Sequence, residues 1–579
     1  MTTFAIGERD FLLDGEPFRI LAGALHYFRV HPEQWEDRIL AAKEMGLNTI
    51  ETYVAWNEHE PERGSFRTDG ALDLGRFLDL IADAGMHAIV RPGPFICAEW
   101  DNGGLPGWLT RECGSNIRCS DPTFLRAVGD YLASVLPILV PRQVDRGGPV
   151  ILLQVENEYG AYGSDKEYLT TLVRWMRAGA VTVPLTTVDQ PEDRMLENGS
   201  VAGAHLTASF GSNGIERLGR LRKHQPDGPL MCAEFWDGWF DHWGGRHNTT
   251  DAATAARELD EILSTGASVN IYMFHGGTNF GLTNGANHKG YYEPTTTSYD
   301  YDAPLSEHGA TTAKYLAFRE VIGRYARLPE RVRREPSASP AFSSPFDAAA
   351  RLLPAVPLER GSEFSSVPSM DDLGVYRGLV LYRARATAGV LRVGEVRDRA
   401  QVFADGRPIG VLEREHNDVG IELPDGIRLL EILVEDQGRV NYGQRLGEPK
   451  GLIGLVTVNG RELRGWSATP IDLDRPDRYL DTEHDGRTGA LGPVVARSTF
   501  LLDEPADLQL ATRDLGKGFA WVNGWPLGRY WSRGPQHSLY VPGPATRTGE
   551  NELVVLALGG VLPSRARWLA QPDRGPLEA

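Results

Sequence analysis

Gly147-Gly148-Pro149-Val150-Ile151-Leu152-Leu153-Gln154-Val155-Glu156-Asn157-Glu158-Tyr159 decides the fold of the N-terminal half of this chain. A Gly-Gly-Pro break precedes a run that tolerates burial on both faces, which is how a strand of a parallel sheet reads. The strand then runs into carboxylates. Ala233-Glu234-Phe235-Trp236 repeats the pattern, a buried run ending in Glu with aromatics around it. Outward from these stretches, strand-like runs alternate with amphipathic helical stretches from the N-terminus to about residue 325, the pattern of parallel βα units.

Eight strands can be placed: Arg19–His26, Asn48–Val54, His87–Arg91, Val150–Val155, Thr182–Thr187, Gly203–Ser209, Pro229–Glu234 and Val269–Phe274. Leu74, Phe77, Leu78 and Ile81, and again Ala255, Leu259 and Ile262, carry helical spacing between them. Eight such units predict an α/β fold, a closed (β/α)8 TIM barrel, which keeps its reactive groups where strands run out into loops. Trp56 to Glu60, Pro92 to Asp101, Asn157-Glu158, Glu234 and His275 to Asn279 all fall there.

Past the barrel, Pro336-Ser337-Ala338-Ser339-Pro340 has the composition of an irregular connection. Short β-type runs follow, with Asp405-Gly406, Asp425-Gly426, Asn459-Gly460 and Asn523-Gly524 as hairpin candidates. The expected organisation is a barrel over 1–330, a linker over 331–372, and two all-β sandwich or jelly-roll domains over 373–484 and 485–579, with strands exchanged between them.

The bulk numbers fit several domains, since 579 residues exceed what one core serves. With 78 acidic against 60 basic residues the net charge is −18, which argues against nucleic acid or an anionic membrane as the main partner. No signal-like leader and no bilayer-length apolar run is evident, so a cytoplasmic protein is expected. Cys97, Cys113, Cys119 and Cys232 are too scattered for a disulfide framework, though a bridge between Cys113 and Cys119 stays open. No His-x-His lies on an early strand and no compact ligand cluster is visible, so neither metal nor cofactor is expected.

Cleaving a glycosidic bond needs one carboxylic acid for the leaving oxygen and a second carboxylate for the developing cation. Strands four and seven lie across the barrel from each other, so their terminal glutamates can face one another over its mouth. Strand alternation puts Gln154, Glu156 and Glu158 on one nominal side, so periodicity does not choose the acid. Position nearest the strand end favours Glu158.

Gly147 through Tyr159 resembles the signature region of the family 35 glycoside hydrolases, the β-galactosidases. The likeness extends to Gly23–Arg29, Thr52–Asn57, Arg91–Trp100, Gly103–Pro106, Ser298–Leu305, Gly438–Gly443 and Gly534–Gln536. It implies a retaining exo-β-galactosidase in which Glu158 is the general acid/base and Glu234 the nucleophile. Asn157 would bind the 2-hydroxyl, and Tyr53, Ile96, Cys97, Ala98, Glu99, Tyr272, Tyr299 and Tyr301 would line the galactose pocket. Trp236 stands where some members have Tyr, which implies a lost hydroxyl and a larger apolar wall. Trp236 and Trp239 would stack on the leaving sugar, with Tyr442 contributed by the β region. Similar bacterial members imply a preference for galactose linked β-1,3 to N-acetylhexosamine. The expected partner is a galactoside oligosaccharide, with a homodimer left open.

Taken singly, each residue has a structural alternative. A strand-end Glu is often a solvated rim charge, Tyr53, Tyr299 and Tyr301 are packing aromatics by default, and Cys97 is a small core residue. His26, His59 and His275 are expected as hydrogen-bonded supports, and Asp300 and Asp302 as groups that hold a loop.

Overall fold

The computed structural model of the protein describes residues 2–357, 364–480, 493–559 and 561–577. Eight parallel strands close into one barrel in chain order. They are β1 (Leu21–Leu25), β2 (Thr49–Tyr53), β3 (His87–Arg91), β4 (Val150–Gln154), β5 (Leu185–Asp189), β6 (Ala204–Phe210), β7 (Met231–Trp236) and β8 (Ser268–His275). Each expected strand is present, and β5 differs most. It begins only after Pro184, because the N–H groups of Thr182 and Val183 are taken by Gln143 Oε1 at 2.7 and 3.2 Å instead of joining the ladder.

The helices between strands bury the predicted faces. Leu74, Phe77, Leu78 and Ile81 are buried on helix Leu74–Asp83, and Ala255, Leu259 and Ile262 on helix Ala252–Ser264. Helix Pro122–Leu139 starts on an Asp121 cap that accepts from Thr123 N and Phe124 N. Its length and apolar composition alone would let it cross a bilayer, which corrects the expectation that no run is long enough. Here it lies in the outer layer, with Phe124, Val128, Tyr131, Leu132 and Val135 buried on its inner face. A small antiparallel sheet (Phe4–Ile6, Phe11–Leu13, Glu16–Phe18) covers the opposite end of the barrel from the site, where Phe11 meets His205 and Phe18 meets His87 near the starts of β6 and β3.

A hairpin of β9 (Ala286–His288) and β10 (Tyr292–Pro294) follows the barrel. The segment expected as a linker corrects that expectation. It supplies β11 (Phe342–Pro345) and β12 (Ala348–Arg351), which pair with Arg565–Leu569 and Val494–Leu502 in the two sheets of the C-terminal sandwich. Ser344 and Ala350 are buried there although the stretch is small-residue and proline-rich, so its pattern hides two edge strands. The expected boundary near 485 lies outside the described residues.

The middle module is a sandwich of a five-stranded and a four-stranded sheet with its own core around Val380, Tyr382, Ile432 and Trp466. A further apolar cluster, including Leu379, Leu381, Phe403, Val495, Trp521 and Val554, welds the two β modules together. Asp405-Gly406, Asn459-Gly460 and Asn523-Gly524 do turn hairpins. Asp425-Gly426 does not: Gly420–Leu423 pairs with Gly389–Arg397 in one sheet while Leu429–Glu435 pairs in the other, so that turn crosses the sandwich. All four cysteines are free, Cys113 and Cys119 included.

Candidate active site

Strand β4 ends at Gln154, and the backbone then leaves strand geometry. Glu156 and Glu158 both adopt left-handed φ, 60° and 45°, a region non-glycine residues enter only under constraint. Alternation therefore stops, and the two glutamates part. Glu156 is buried against Arg118, which donates from Nε at 3.1 Å and Nη2 at 2.8 Å, and Tyr168 OH donates at 2.8 Å. It is a structural ion pair. Glu158 turns into the barrel mouth, where Ser209 Oγ at the end of β6 donates to Oε1 at 2.7 Å.

Glu234, on β7, faces the same cavity. Arg91 at the end of β3 donates from Nη1 to Glu234 Oε1 at 2.5 Å, and Tyr53 OH from β2 donates to the same oxygen at 2.9 Å. The other oxygen accepts from Trp236 Nε1 at 3.1 Å. Trp236 carries no hydroxyl, yet it does more than widen an apolar wall, since its indole supplies a donor to Glu234 itself. Arg91 is shared with a second buried acid, Glu51, at 2.6 Å from Nε.

These surroundings treat the two carboxylates differently. Burial, then the charge of Glu234, pushes Glu158 up to about 7, with Ser209 and Gln190 opposing the shift. Glu234 instead receives three donors, a guanidinium, a phenol and an indole. Burial thus favours the protonated form of Glu158 while Glu234 is held by hydrogen bonds, an asymmetry that suits an acid and a nucleophile in sugar cleavage.

Asn157 sits between them. Its Oδ1 accepts from Arg91, Gln154 and Tyr53 at 3.3, 3.3 and 3.4 Å, which leaves the amide nitrogen to meet a ligand hydroxyl. Opposite, Cys97, Ala98 and Glu99 form a left-handed turn with φ of 56°, 55° and 48°. Such residues cost roughly 1–3 kcal/mol each and persist only where the surroundings hold them. Arg29 does so, donating to Ala98 O at 2.5 Å while its guanidinium lies 3.8 Å from the Tyr299 ring. Tyr299 OH donates to Glu99 Oε2 at 2.5 Å and meets Tyr272 OH at 3.1 Å. Burial raises Glu99 above the usual carboxylate range, against the pull of Tyr299 and Arg29.

The cavity encloses about 140 Å³ and is lined by Tyr53, Cys97, Ala98, Glu99, Asn157, Glu158, Glu234, Trp236, Trp239, Tyr272 and Tyr301, all expected from the sequence. Two expected residues do not line it. Ile96 is fully buried behind the left-handed turn, where its N–H donates to Gly103 O at 2.9 Å, and Tyr299 acts from behind Glu99. Trp239, 38% exposed, stacks on Phe240 at 4.9 Å and meets Trp236 edge-on at 5.9 Å, forming the outer wall.

Gln190, Phe240, Asn287 and Lys289 also line the cavity and were not anticipated, while Tyr442 enters from the middle module. Ser209 and Arg91 could have been found as polar strand ends of β6 and β3; Asn287 and Lys289 carry no local signal, being brought in by the β9–β10 hairpin. His26 and His275 are held neutral by burial and act as supports, with His26 Nδ1 accepting from Arg29 at 2.7 Å. His59 is depressed to about 4 by burial and bonds Tyr27 OH at 2.5 Å. Asp302 pairs with Lys314 at 2.8 Å and Asp300 with Arg574 at 2.6 Å, both holding the loop that carries Tyr301.

A parallel eight-stranded barrel with two opposed carboxylates, an amide and stacked aromatics at its mouth defines the class, a glycoside hydrolase. Residues 10–325 match the family model "Glycosyl hydrolases family 35", residues 368–472 match "Beta-galactosidase, first all-beta domain", and residues 493–551 match "Beta-galactosidase, galactose-binding domain". The chain is 39% identical to a beta-galactosidase of Xanthomonas manihotis, over 93% of this chain and 91% of that one. It is 40% identical to a beta-galactosidase of Mus musculus, over 95% and 91%, and 37% identical to human beta-galactosidase-1-like protein 2, over 94% and 88%. The chain belongs to family 35 of the glycosyl hydrolases, the β-galactosidases.

Proposed function

We propose that the protein removes terminal, non-reducing β-D-galactose from oligosaccharides or glycoconjugates by a retaining, two-step reaction. The observation that carries this reading is the pairing of Glu158, pushed up to about 7 by burial and its neighbour's charge, with Glu234, held by Arg91 and Tyr53 at 2.5 and 2.9 Å. Glu234 attacks the anomeric carbon while the proton on Glu158 passes to the leaving oxygen. The galactosyl ester then yields to a water molecule that gives its proton back to Glu158. Asn157 meets the 2-hydroxyl, where a hydrogen bond that strengthens in the transition state lowers the barrier. Glu99 and the tyrosines behind it receive the remaining hydroxyls.

A preference for β-1,3 linkage to N-acetylhexosamine is part of the proposal, with Trp236, Trp239 and Tyr442 offering the outer contacts. Turnover of β-1,3-, β-1,4- and β-1,6-linked galactosides tests it, and equal rates on all three would remove it. The roles of the two acids are tested together by Glu158→Gly and Glu234→Gly with azide and an activated aryl galactoside. Loss of the acid/base should give β-galactosyl azide and loss of the nucleophile the α-azide; the reverse assignment, or full activity in both variants, would overturn the mechanism.

A further inference from the structure

The β9–β10 hairpin is a partition with a cavity on either side. Residues along a strand point alternately to opposite faces, and this one uses both. Asn287 and Lys289 line the catalytic cavity, whereas His288, Gly290, Tyr291 and Tyr292 line a second cavity of about 340 Å³. The far wall of that second cavity is the middle module, at Gly394–Val396 and the turn from Arg414 to Val419. Tyr291 at the hairpin tip is 61% exposed.

We propose that this second cavity is a subsite for the sugar chain that carries the galactose being removed, which rests on the galactosidase reading above. The catalytic cavity, at about 140 Å³, has room for a single ring and little beyond. Further rings of an oligosaccharide lie outside it, and where the exposed Lys289 forms part of its lip, the next two residues, Gly290 and Tyr291, already line the second cavity. A chain crossing that lip meets an exposed aromatic face first, the surface on which the apolar side of a pyranose stacks.

The groups beyond the tip suit hydroxyls better than an ion. Both signs of charge are present, and the charged members are largely committed: Arg414 pairs with Asp398 at 2.9 Å, Glu415 with Arg533 at 2.8 Å, and Arg445 with Glu448 at 3.3 Å. The exposed amide of Asn417, on a left-handed residue with φ of 56°, donates to and accepts from no described residue and is open to a ligand. A neutral, hydroxyl-rich chain of two or three rings matches this lining.

Two exposed positions separate the idea from a folding effect: Tyr291→Ala, and Asn417→Gly, which keeps the left-handed backbone. Each variant should raise KM several-fold for a galactose-terminated tetrasaccharide, leaving kcat unchanged. A nitrophenyl β-galactoside and a galactosyl disaccharide of the same terminal linkage should show unchanged kcat and KM. The trisaccharide left after galactose removal should bind the unaltered protein by calorimetry and lose that binding in Tyr291→Ala. Trisaccharide binding without galactoside turnover would sink the galactosidase reading and keep the subsite. Absence of trisaccharide binding, or equal effects on short and long substrates, would overturn the subsite.

Discussion

Arg91 holds Glu234 at 2.5 Å through Nη1 and Glu51 at 2.6 Å through Nε, so two buried carboxyl groups share one buried guanidinium at the floor of the site. Glu51 is pushed up to about 7 by burial despite that contact, so the guanidinium is not in excess. Arg91→Lys keeps a charge but loses the planar fork that reaches both acids. We expect kcat to fall roughly 100-fold or more, with a lower Tm, because one carboxylate is left poorly paired in a dry site. Steady-state kinetics with an aryl galactoside and a thermal melt check both, and unchanged kcat would show that Arg91 is only a packing group.

Glu158 gives a pH dependence whose sign follows from burial. Its pKa in the folded protein is raised to about 7, so the stability linked to its proton is present below the ordinary carboxylate value and lost as pH rises through about 7. The alkaline limb of kcat/KM should report the same group. In Glu158→Gln that limb should vanish for a dinitrophenyl galactoside, whose leaving group needs no proton, and the variant should gain in Tm relative to the unaltered protein as pH rises past about 7. An alkaline limb that persists in the variant would assign it elsewhere.

Trp236 donates to Glu234 Oε2 at 3.1 Å. Hydrogen bonds to charged groups contribute about 1.5–3 kcal/mol, so Trp236→Phe should lower kcat roughly 10-fold or more while preserving the aromatic wall and the fold. If only KM changes, the indole N–H is irrelevant to the carboxylate and the residue is a stacking surface.

The pocket wall is braced from the far end of the chain. Arg574 pairs with Asp300 at 2.6 Å, and Gln536 accepts from Ser298 N at 2.9 Å. Both act on the loop that presents Tyr299 and Tyr301. Arg574→Ala should reduce kcat/KM about 10-fold by loosening that wall, since small misplacements at a site are costly, and Arg574→Lys should recover part of the loss. A drop in Tm with unaltered kinetics at low temperature would reduce Arg574 to a stabilising contact.

The barrel was legible because its strands are buried on both faces and its helices on one, so local patterning carries the signal. Val150 to Val155 and the stretch before Glu234 read as strands for that reason. β11 and β12 were missed because edge strands built from Ser, Ala and Pro bury too little to leave a pattern, and the Asp425-Gly426 turn looked like a hairpin because turn chemistry does not say which sheet the next strand joins. At the site, strand ends announced Glu158, Glu234 and Tyr53. Lys289 and Asn287 announced nothing, since their place is set by how a hairpin packs on the barrel, and Tyr442 was indicated only by the family resemblance because a separate module brings it in.

By itself the sequence determined the class of fold and the strand-end glutamates among which a pair of acids is sought, because burial periodicity and strand-end position are local properties. The choice between Glu156 and Glu158 on geometric grounds came only with the tertiary structure. Two left-handed residues end the alternation of β4, so that Arg118 takes one glutamate and the open mouth receives the other. The same holds for Trp236, whose indole finds Glu234 because two strand-end side chains converge on a narrow rim, a distance no linear pattern encodes.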